Sequence, residues 1–303
     1  MAPVSTNKRT NVRLMRVLIQ AAEKLAPAWV ERQAFARWAR PARTAARWGP
    51  ELKDARAFQV EAGGTSLAAW EWNVGGPRGS ALLVHGWSGN ASQLGSFVAP
   101  LVASGHHVVA VDLPAHGATE GNFATVVLLA HAVAELGRRL RPRVVVAHSL
   151  GGTSTSYALT LGLKPERLVL LASPARMPPY LAHFADQVGL SQDMQGRLLR
   201  RVERVIGRPV SELDLVLHAP TFGEVRTLVV HDRDDSVVPL ASSTELVARW
   251  PGARLVVTEG LSHDRIRRDA EVVAQVVAFV SGQAAPLSPT RSPAAGERAA
   301  VAI

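Results

Sequence analysis

Short runs of valine, leucine and alanine alternate with helical patterns along most of this 303-residue chain, and this alternation constrains its fold more than any other feature. Six such runs predict strands, at residues 81–85, 107–112, 143–148, 167–171, 225–231 and 253–258. They are apolar at successive positions, which is typical of strands buried on both faces of a parallel sheet. Helical patterns lie between most of them, at 92–103, 123–139, 151–162, 242–250 and 269–280. The sequence therefore predicts an α/β fold with an open, mostly parallel sheet flanked by helices.

The same rhythm divides the chain into segments. Residues 57–173 and 224–280 carry the alternation, with an antiparallel lead-in at 58–60 and 68–72. The interval 174–223 lacks a strand pattern, and it follows a strand end, where open α/β sheets keep their ligand sites. We therefore expect a small helical cap there, with a helix near 191–206. The last stretch, 281–303, is rich in Ala, Pro and Ser and predicts a disordered tail.

The net charge of +9 is concentrated in residues 1–56, which hold 12 Lys or Arg and 4 Asp or Glu. The rest of the chain is nearly neutral, with 22 basic and 21 acidic residues. In this N-terminal extension, the spacing of apolar residues predicts two helices, 11–25 and 29–40, separated near Pro27. Apolar residues of the first share one face: Leu14, Leu18, Ala21, Ala22 and Leu25.

Two interpretations of the extension stay open. Its apolar face either packs on the body or contacts an anionic membrane surface peripherally through residues 11–48, where Trp29, Trp38 and Trp48 stand among arginines. No nucleic-acid partner is expected, because no binding module is recognisable and the body is near-neutral.

Several classes of protein are excluded or disfavoured. The absence of cysteine excludes a disulfide framework, cysteine-ligated metal sites and a cysteine nucleophile. The sequence has no His-Glu-x-x-His and no glycine-rich dinucleotide motif, so no metal and no cofactor are expected. No apolar run approaches the roughly 20 residues of a membrane span, and no secretory signal is recognisable. A cytoplasmic location follows as an expectation, with peripheral membrane association as its variant.

The strongest chemical signal is the segment VVVAHSLGG at 144–152. A buried strand runs into a turn at Ser149, and a helical pattern begins near Gly151. This is typical of a nucleophile elbow, whose strained backbone lifts the serine Oγ above the sheet edge. Ala147 stands where the motif usually has its first glycine, which keeps that position small.

With this elbow, the chain resembles the α/β-hydrolase family over roughly residues 57–280. The family order is oxyanion loop, nucleophile, acid and histidine. The resemblance implies that Ser149 is the nucleophile and that the segment VHGW at 84–87 is the oxyanion loop. The backbone N–H groups of Trp87 and Leu150 would then face the developing oxyanion.

The resemblance also implies an acid and a base. The segment HDRDDSVVP at 231–239 holds three carboxylates; the family pattern aligns best on Asp235, Asp234 is the alternative, and Asp232 is expected to make loop hydrogen bonds. Of the ten histidines, His263 alone lies C-terminal to Asp235, in EGLSHD at 259–264. His263 is the expected base, with Leu261 and Ser262 where relatives more usually have a small residue and glycine.

A serine hydrolase that cleaves a carboxylic ester through an acyl-enzyme intermediate is the function that the resemblance implies. Acyltransferases, perhydrolases and C–C hydrolases use the same triad, and a non-catalytic binding protein with this fold is a further alternative. The expected partner is a small-molecule ester or acyl substrate; its chain length and the oligomeric state stay open. Met177, Tyr180 and Phe184 in the cap suggest a partly apolar pocket. A basic stripe of the predicted cap helix is either a solvated face or a site for an anionic substrate: Arg197, Arg200, Arg201 and Arg204.

Overall fold

In the described part of the chain, eight strands form one sheet, and their order brings the ends of the strands that carry the motifs to one edge. A computed structural model describes residues 6–49, 54–223 and 225–283, with side chains from Met15 onward; the predicted tail lies outside this range from residue 284. The strands are β1 (Arg56–Ala62), β2 (Thr65–Trp72), β3 (Ser80–Val84), β4 (His107–Val111), β5 (Val144–His148), β6 (Arg167–Leu171), β7 (Arg226–Asp232) and β8 (Ala253–Thr258).

The spatial order of the strands is β1-β2-β4-β3-β5-β6-β7-β8. The pairs β1/β2 and β2/β4 are antiparallel, and every pair from β4 to β8 is parallel. The predicted open, mostly parallel sheet with an antiparallel lead-in is confirmed. Because the strands from β3 to β8 run the same way, their carboxyl ends share one edge of the sheet.

Helices cover both faces of the sheet. Successive strand residues enter opposite cores, as Leu82 and Leu83 of β3 do, so both faces are apolar. The helices are α1 (Thr6–Leu25), α2 (Pro27–Ala39), α3 (Val98–Ala103), α4 (Val126–Leu140), α5 (Leu150–Thr160), α6 (Pro178–Val188), α7 (Gln192–Ile206), α8 (Leu215–His218), α9 (Leu240–Arg249), α10 (Ser262–Arg265) and α11 (Ala270–Val280).

The helix expected at 92–103 is divided into two pieces. A 3₁₀ segment, Ala91–Phe97, begins at Asn90, whose side chain accepts from Ser92 N–H, and α3 follows it. Pro100 lacks an N–H and is tolerated only in the first turn of an α-helix, so a helix that includes it has to begin close before it.

The regular elements of the interval 174–223, all of which is described, are helical. They are α6, α7 and α8, with 3₁₀ segments at Val210–Leu213 and Ala219–Thr221. Ser191 caps α7 by accepting from Met194 N–H, and Gly207 ends it in the left-handed conformation.

The second helix of the extension packs on this helical interval. Val30, Ala34 and Phe35 of α2 are buried. Glu31 forms ion pairs with Arg197 (3.1 Å) and Arg201 (3.3 Å) of α7. Two members of the basic stripe thus join α7 to α2. Within the described residues, no helix combines the length and the apolar character needed to cross a membrane.

Candidate active site

Ser149 occupies a tight turn between β5 and α5, at the carboxyl edge of the sheet. Its backbone has φ 52° and ψ −129°, a left-handed conformation that costs a non-glycine residue strain. Glycines allow two other segments of the chain to approach this turn closely. A Cβ added at Gly151 would lie 2.1 Å from the carbonyl oxygen of His85, and one at Gly152 would lie 1.9 Å from Ser173 Oγ. The local geometry is that of the predicted elbow.

The structure brings the three predicted catalytic side chains into one hydrogen-bonded row. Ser149 Oγ lies 3.0 Å from His263 Nε2, and His263 Nδ1 lies 2.8 Å from Asp235 Oδ2. The Asp235 side chain is fully buried, whereas that of His263 is 14% exposed. This arrangement can move a proton from the serine to the imidazole while the carboxylate holds the ring.

The three neighbouring carboxylates have different contacts. Asp232 accepts hydrogen bonds from the N–H groups of Leu261 and Ser262 and from the Thr258 hydroxyl, so it organises the loop that carries His263. Asp234 accepts from Gly260 N–H at 2.9 Å. Asp235 is the acid whose carboxylate reaches the His263 ring.

Hydrogen bonds keep Asp235 ionised in its buried position. Burial raises the pKa of Asp235, but hydrogen bonds from His263 and from the N–H groups of Val238 and Val237 outweigh that effect. The net result is a pKa below the usual range of an aspartate. A carboxylate that stays negative here stabilises a protonated imidazole beside it.

The loop after β3 approaches the elbow closely. A Cβ added at Gly86 would lie 3.0 Å from Ser149 Cβ, so a larger residue here would require the elbow or the loop to shift. His85 shapes the loop: its Nδ1–H donates to Gly86 O at 2.7 Å, and its Nε2 accepts from Leu113 N–H at 3.0 Å. Burial lowers the pKa of His85 to about 3, which keeps this ring neutral.

The two expected oxyanion donors flank Ser149 from different elements. Leu150 is the first residue of α5, so its N–H has no acceptor within that helix. Trp87 follows Gly86 in the loop, and its ring packs edge-on against His116 at 5.3 Å. Both residues also line the cavity into which Ser149 opens.

Sequence reasoning missed two histidines that support the site. His148, directly before the nucleophile, donates from Nε2 to the His263 carbonyl oxygen at 3.0 Å, and the two rings lie 4.9 Å apart. Burial, together with the charge of His263, lowers the pKa of His148 to about 3. His231 donates from Nε2 to Val238 O at 2.8 Å and lies fully buried, 3.6 Å from Asp235 Oδ2. Both residues belong to predicted strands, and an apolar strand pattern does not indicate which of its residues support a site.

A cavity of about 450 Å³ opens in front of Ser149. Most of its lining side chains are apolar. Helix α6 and its N-cap contribute Met177, Tyr180 and Phe184, the three residues expected to line an apolar pocket, together with Leu181, His183 and Gln187. Tyr180 has a pKa raised to about 12 by burial and by the charge of Asp235, and its hydroxyl has no hydrogen-bond partner within the described residues.

The N-terminal extension also lines this cavity, which the sequence did not indicate. It contributes Arg37, Trp38, Arg40 and Ala42. The Trp38 ring packs on the Phe184 ring of α6, with centroids 5.1 Å apart. In the described part of the chain, no group of three or more His, Asp or Glu side chains could hold a metal ion.

Comparisons with known proteins identify the fold and the family of the chain. A family model described as the alpha/beta hydrolase family matches residues 81–276. The pyrethroid hydrolase of Sphingobium wenxiniae is 26% identical over 261 residues, covering 72% of this chain and 93% of that protein. The non-heme haloperoxidase of Rhodococcus erythropolis is 26% identical over 280 residues, covering 74% and 98%. An esterase from Pyrococcus furiosus superposes with a TM-score of 0.61 at 20% identity, covering 80% of this chain and 99% of its own.

Proposed function

Because the chain belongs to the alpha/beta hydrolase family, we propose that it is a serine hydrolase that cleaves a carboxylic ester through an acyl-enzyme intermediate. The observation that carries the proposal is the hydrogen-bonded row from Ser149 through His263 to Asp235. The Ser149 end of this row lines an apolar cavity. The names of relatives, a pyrethroid hydrolase and an esterase, fit this reaction class.

The reaction proceeds in two halves. His263 Nε2 takes the proton of Ser149 Oγ as that oxygen attacks the ester carbonyl, and the N–H groups of Trp87 and Leu150 stabilise the resulting oxyanion. The protonated imidazole, held by Asp235, returns its proton to the leaving alcohol as the C–O bond breaks. Water then attacks the acyl-enzyme, with His263 accepting its proton and passing it to the departing serine oxygen.

The cavity favours an ester with a hydrophobic acyl or alcohol group. Leu181, Phe184 and Trp38 offer apolar surface, and each methylene buried there contributes about 0.8 kcal/mol. Arg37 and Arg40 are exposed where they line the cavity, so polar parts of a substrate can remain near solvent there.

Peroxide is a second acyl acceptor worth testing, because one relative is named a non-heme haloperoxidase. Hydrogen peroxide attacking the same acyl-enzyme would give a peracid in place of the acid, with His263 accepting the peroxide proton. Peracid formation from a short carboxylic ester and hydrogen peroxide measures this branch. Peracid no higher than the level formed without enzyme would exclude it.

The nucleophile is tested by Ser149→Ala, with Ser154→Ala as its matched control. Ser154 lies on the same helix, α5, and its hydroxyl is buried without a partner within the described residues. We expect Ser149→Ala to abolish hydrolysis of p-nitrophenyl butyrate and labelling by a fluorophosphonate, and Ser154→Ala to retain both. Folded Ser149→Ala protein that still hydrolyses the ester would refute the proposal.

The contribution of the extension to substrate binding is tested by Trp38→Ala. Removing the ring should raise KM increasingly with acyl chain length, by about tenfold for a chain that reaches it, since losing such contacts costs about 1–3 kcal/mol. Trp29→Ala is the matched control, because Trp29 lies on the same helix, is 51% exposed and does not line the cavity. An identical chain-length profile in wild type and Trp38→Ala would contradict this role.

A further inference from the structure

The apolar face of α1 points away from the protein. Val17, Leu18 and Leu25 are 62%, 61% and 87% exposed, and Met15 is 62% exposed. Leu18 and Leu25 stand seven positions apart and therefore share one face of the helix. Trp29, in the first turn of α2, is half exposed as well. Five of the eleven large hydrophobic side chains that are exposed in the described residues thus fall within residues 15–29.

Other residues of α1 make its contacts with the helical interval 174–223 and the core. Arg16 forms an ion pair with Asp186 at 3.1 Å, and Glu23 accepts a hydrogen bond from Ser191 N–H at 3.1 Å. Ile19 is partly buried against the core. Ala22 is partly buried as well, so the side of α1 that meets the protein is mixed, with Arg16, Ile19, Ala22 and Glu23, while Leu18 and Leu25 are left exposed.

The surroundings of this face are basic. The sequence of α1 holds five basic residues and one acidic residue, and the acidic side chains of α1 and α2, Glu23 and Glu31, are engaged with Ser191 and with α7. Lys24 and Arg32 are exposed. Leucines, a tryptophan and basic side chains that are all exposed together fit the boundary between the headgroups and acyl chains of an anionic bilayer.

We propose that α1 docks on the surface of an anionic lipid bilayer, with Leu18 and Leu25 inserted among the acyl chains. A second copy of the chain would also cover the leucines, but it would bring two α1 helices together, each with five basic residues and one acidic residue. Anionic lipid covers the apolar side chains and neutralises the charge at the same time, and each basic residue near such a surface contributes about fivefold to binding. The proposal concerns where the protein sits and does not rest on the reaction it catalyses.

Flotation of the full chain with vesicles tests the proposal. The vesicles contain equal parts of phosphatidylcholine and phosphatidylglycerol, with pure phosphatidylcholine vesicles for comparison. We expect wild type to float with the anionic vesicles, less in high salt, and Leu18→Glu/Leu25→Glu to bind them at least about a hundredfold more weakly, since each buried leucine is worth about tenfold or more.

Leu217→Glu is the matched control, because Leu217 is a leucine of similar exposure, 64%, on α8. It should float like wild type, and all variants should hydrolyse a soluble ester at the wild-type rate, which shows that they are folded. Equal flotation of the double variant and wild type, or no flotation of wild type, would overturn the proposal. So would a wild-type dimer in light scattering that the double variant converts to monomer without any lipid binding.

Discussion

Exchanging Asp235 for Asn removes one charge from the triad while keeping the shape of the side chain. Asp235 Oδ1 accepts from the N–H groups of Val237 and Val238 at 2.8 and 2.9 Å, and Oδ2 faces His263 Nδ1. The two backbone donors require an oxygen, so the amide oxygen of the introduced asparagine would take the Oδ1 position and its NH₂ would face the imidazole. The Nδ1 atom of His263 would then accept a hydrogen bond in place of donating one.

The consequence is the wrong tautomer of the base. With a lone pair on Nδ1, neutral His263 carries its proton on Nε2 and can no longer take the proton of Ser149 Oγ, 3.0 Å away. The missing negative charge also leaves the imidazolium without its stabilising partner. We expect kcat to fall about 10³- to 10⁴-fold, which corresponds to about 4–5.5 kcal/mol of transition-state stabilisation.

Asp234→Asn is the matched control, because it makes the same chemical change one residue earlier. Its carboxylate accepts one hydrogen bond, from Gly260 N–H, which the amide oxygen of asparagine can still accept, so the expected cost is below about 1 kcal/mol of stability with activity near that of wild type. The assay is hydrolysis of p-nitrophenyl butyrate, with the melting temperature of each variant recorded beside it. A large loss in Asp234→Asn and a small one in Asp235→Asn would refute the assignment of the acid.

Three further outcomes follow from the structure. Ser262 has φ 58°, so Ser262→Gly should remove about 1 kcal/mol of backbone strain and raise the melting temperature, whereas a lower melting temperature would show that this backbone is unstrained. The pKa of His148 is lowered from 6.5 to about 3, so between these pH values the histidine is protonated in the unfolded chain and neutral in the folded one. The free energy of unfolding is therefore unaffected by this group above pH 6.5 and declines by about 1.4 kcal/mol per pH unit between pH 6.5 and 3. Urea unfolding at several pH values should show a shallower decline in His148→Gln than in wild type. Equal slopes would contradict the reasoning. Glu31→Gln leaves Arg197 and Arg201 without their carboxylate, which should lower the free energy of unfolding by about 1–2 kcal/mol and weaken the preference for long acyl chains. An unchanged melting temperature and chain-length profile would show that these ion pairs do not hold α2 in place.

The sheet and the elbow could be predicted because their signals are local. Strands β6 (Arg167–Leu171) and β8 (Ala253–Thr258) end where the apolar runs end, and a small residue, a serine and a glycine suffice to indicate the turn at Ser149. The carboxylate that pairs with His263 was harder to predict. Three carboxylates lie close together in one loop, and what separates them is which loop N–H groups each accepts, a property of the folded loop that residue types do not encode.

The orientation of the extension could not be read from the sequence for a related reason. The spacing of Leu18 and Leu25 defines an apolar face of α1, but the side that meets the protein depends on contacts between residues far apart in the chain, such as Arg16 with Asp186 and Glu23 with Ser191. The division of charge at residue 56 suggests a separable appendage, yet Trp38 of α2 forms a wall of the cavity in front of Ser149. Deleting residues 1–56 would therefore remove part of the substrate site together with the proposed membrane surface. Substitutions confined to the exposed leucines of α1 keep that wall and can separate binding to lipid from binding to substrate.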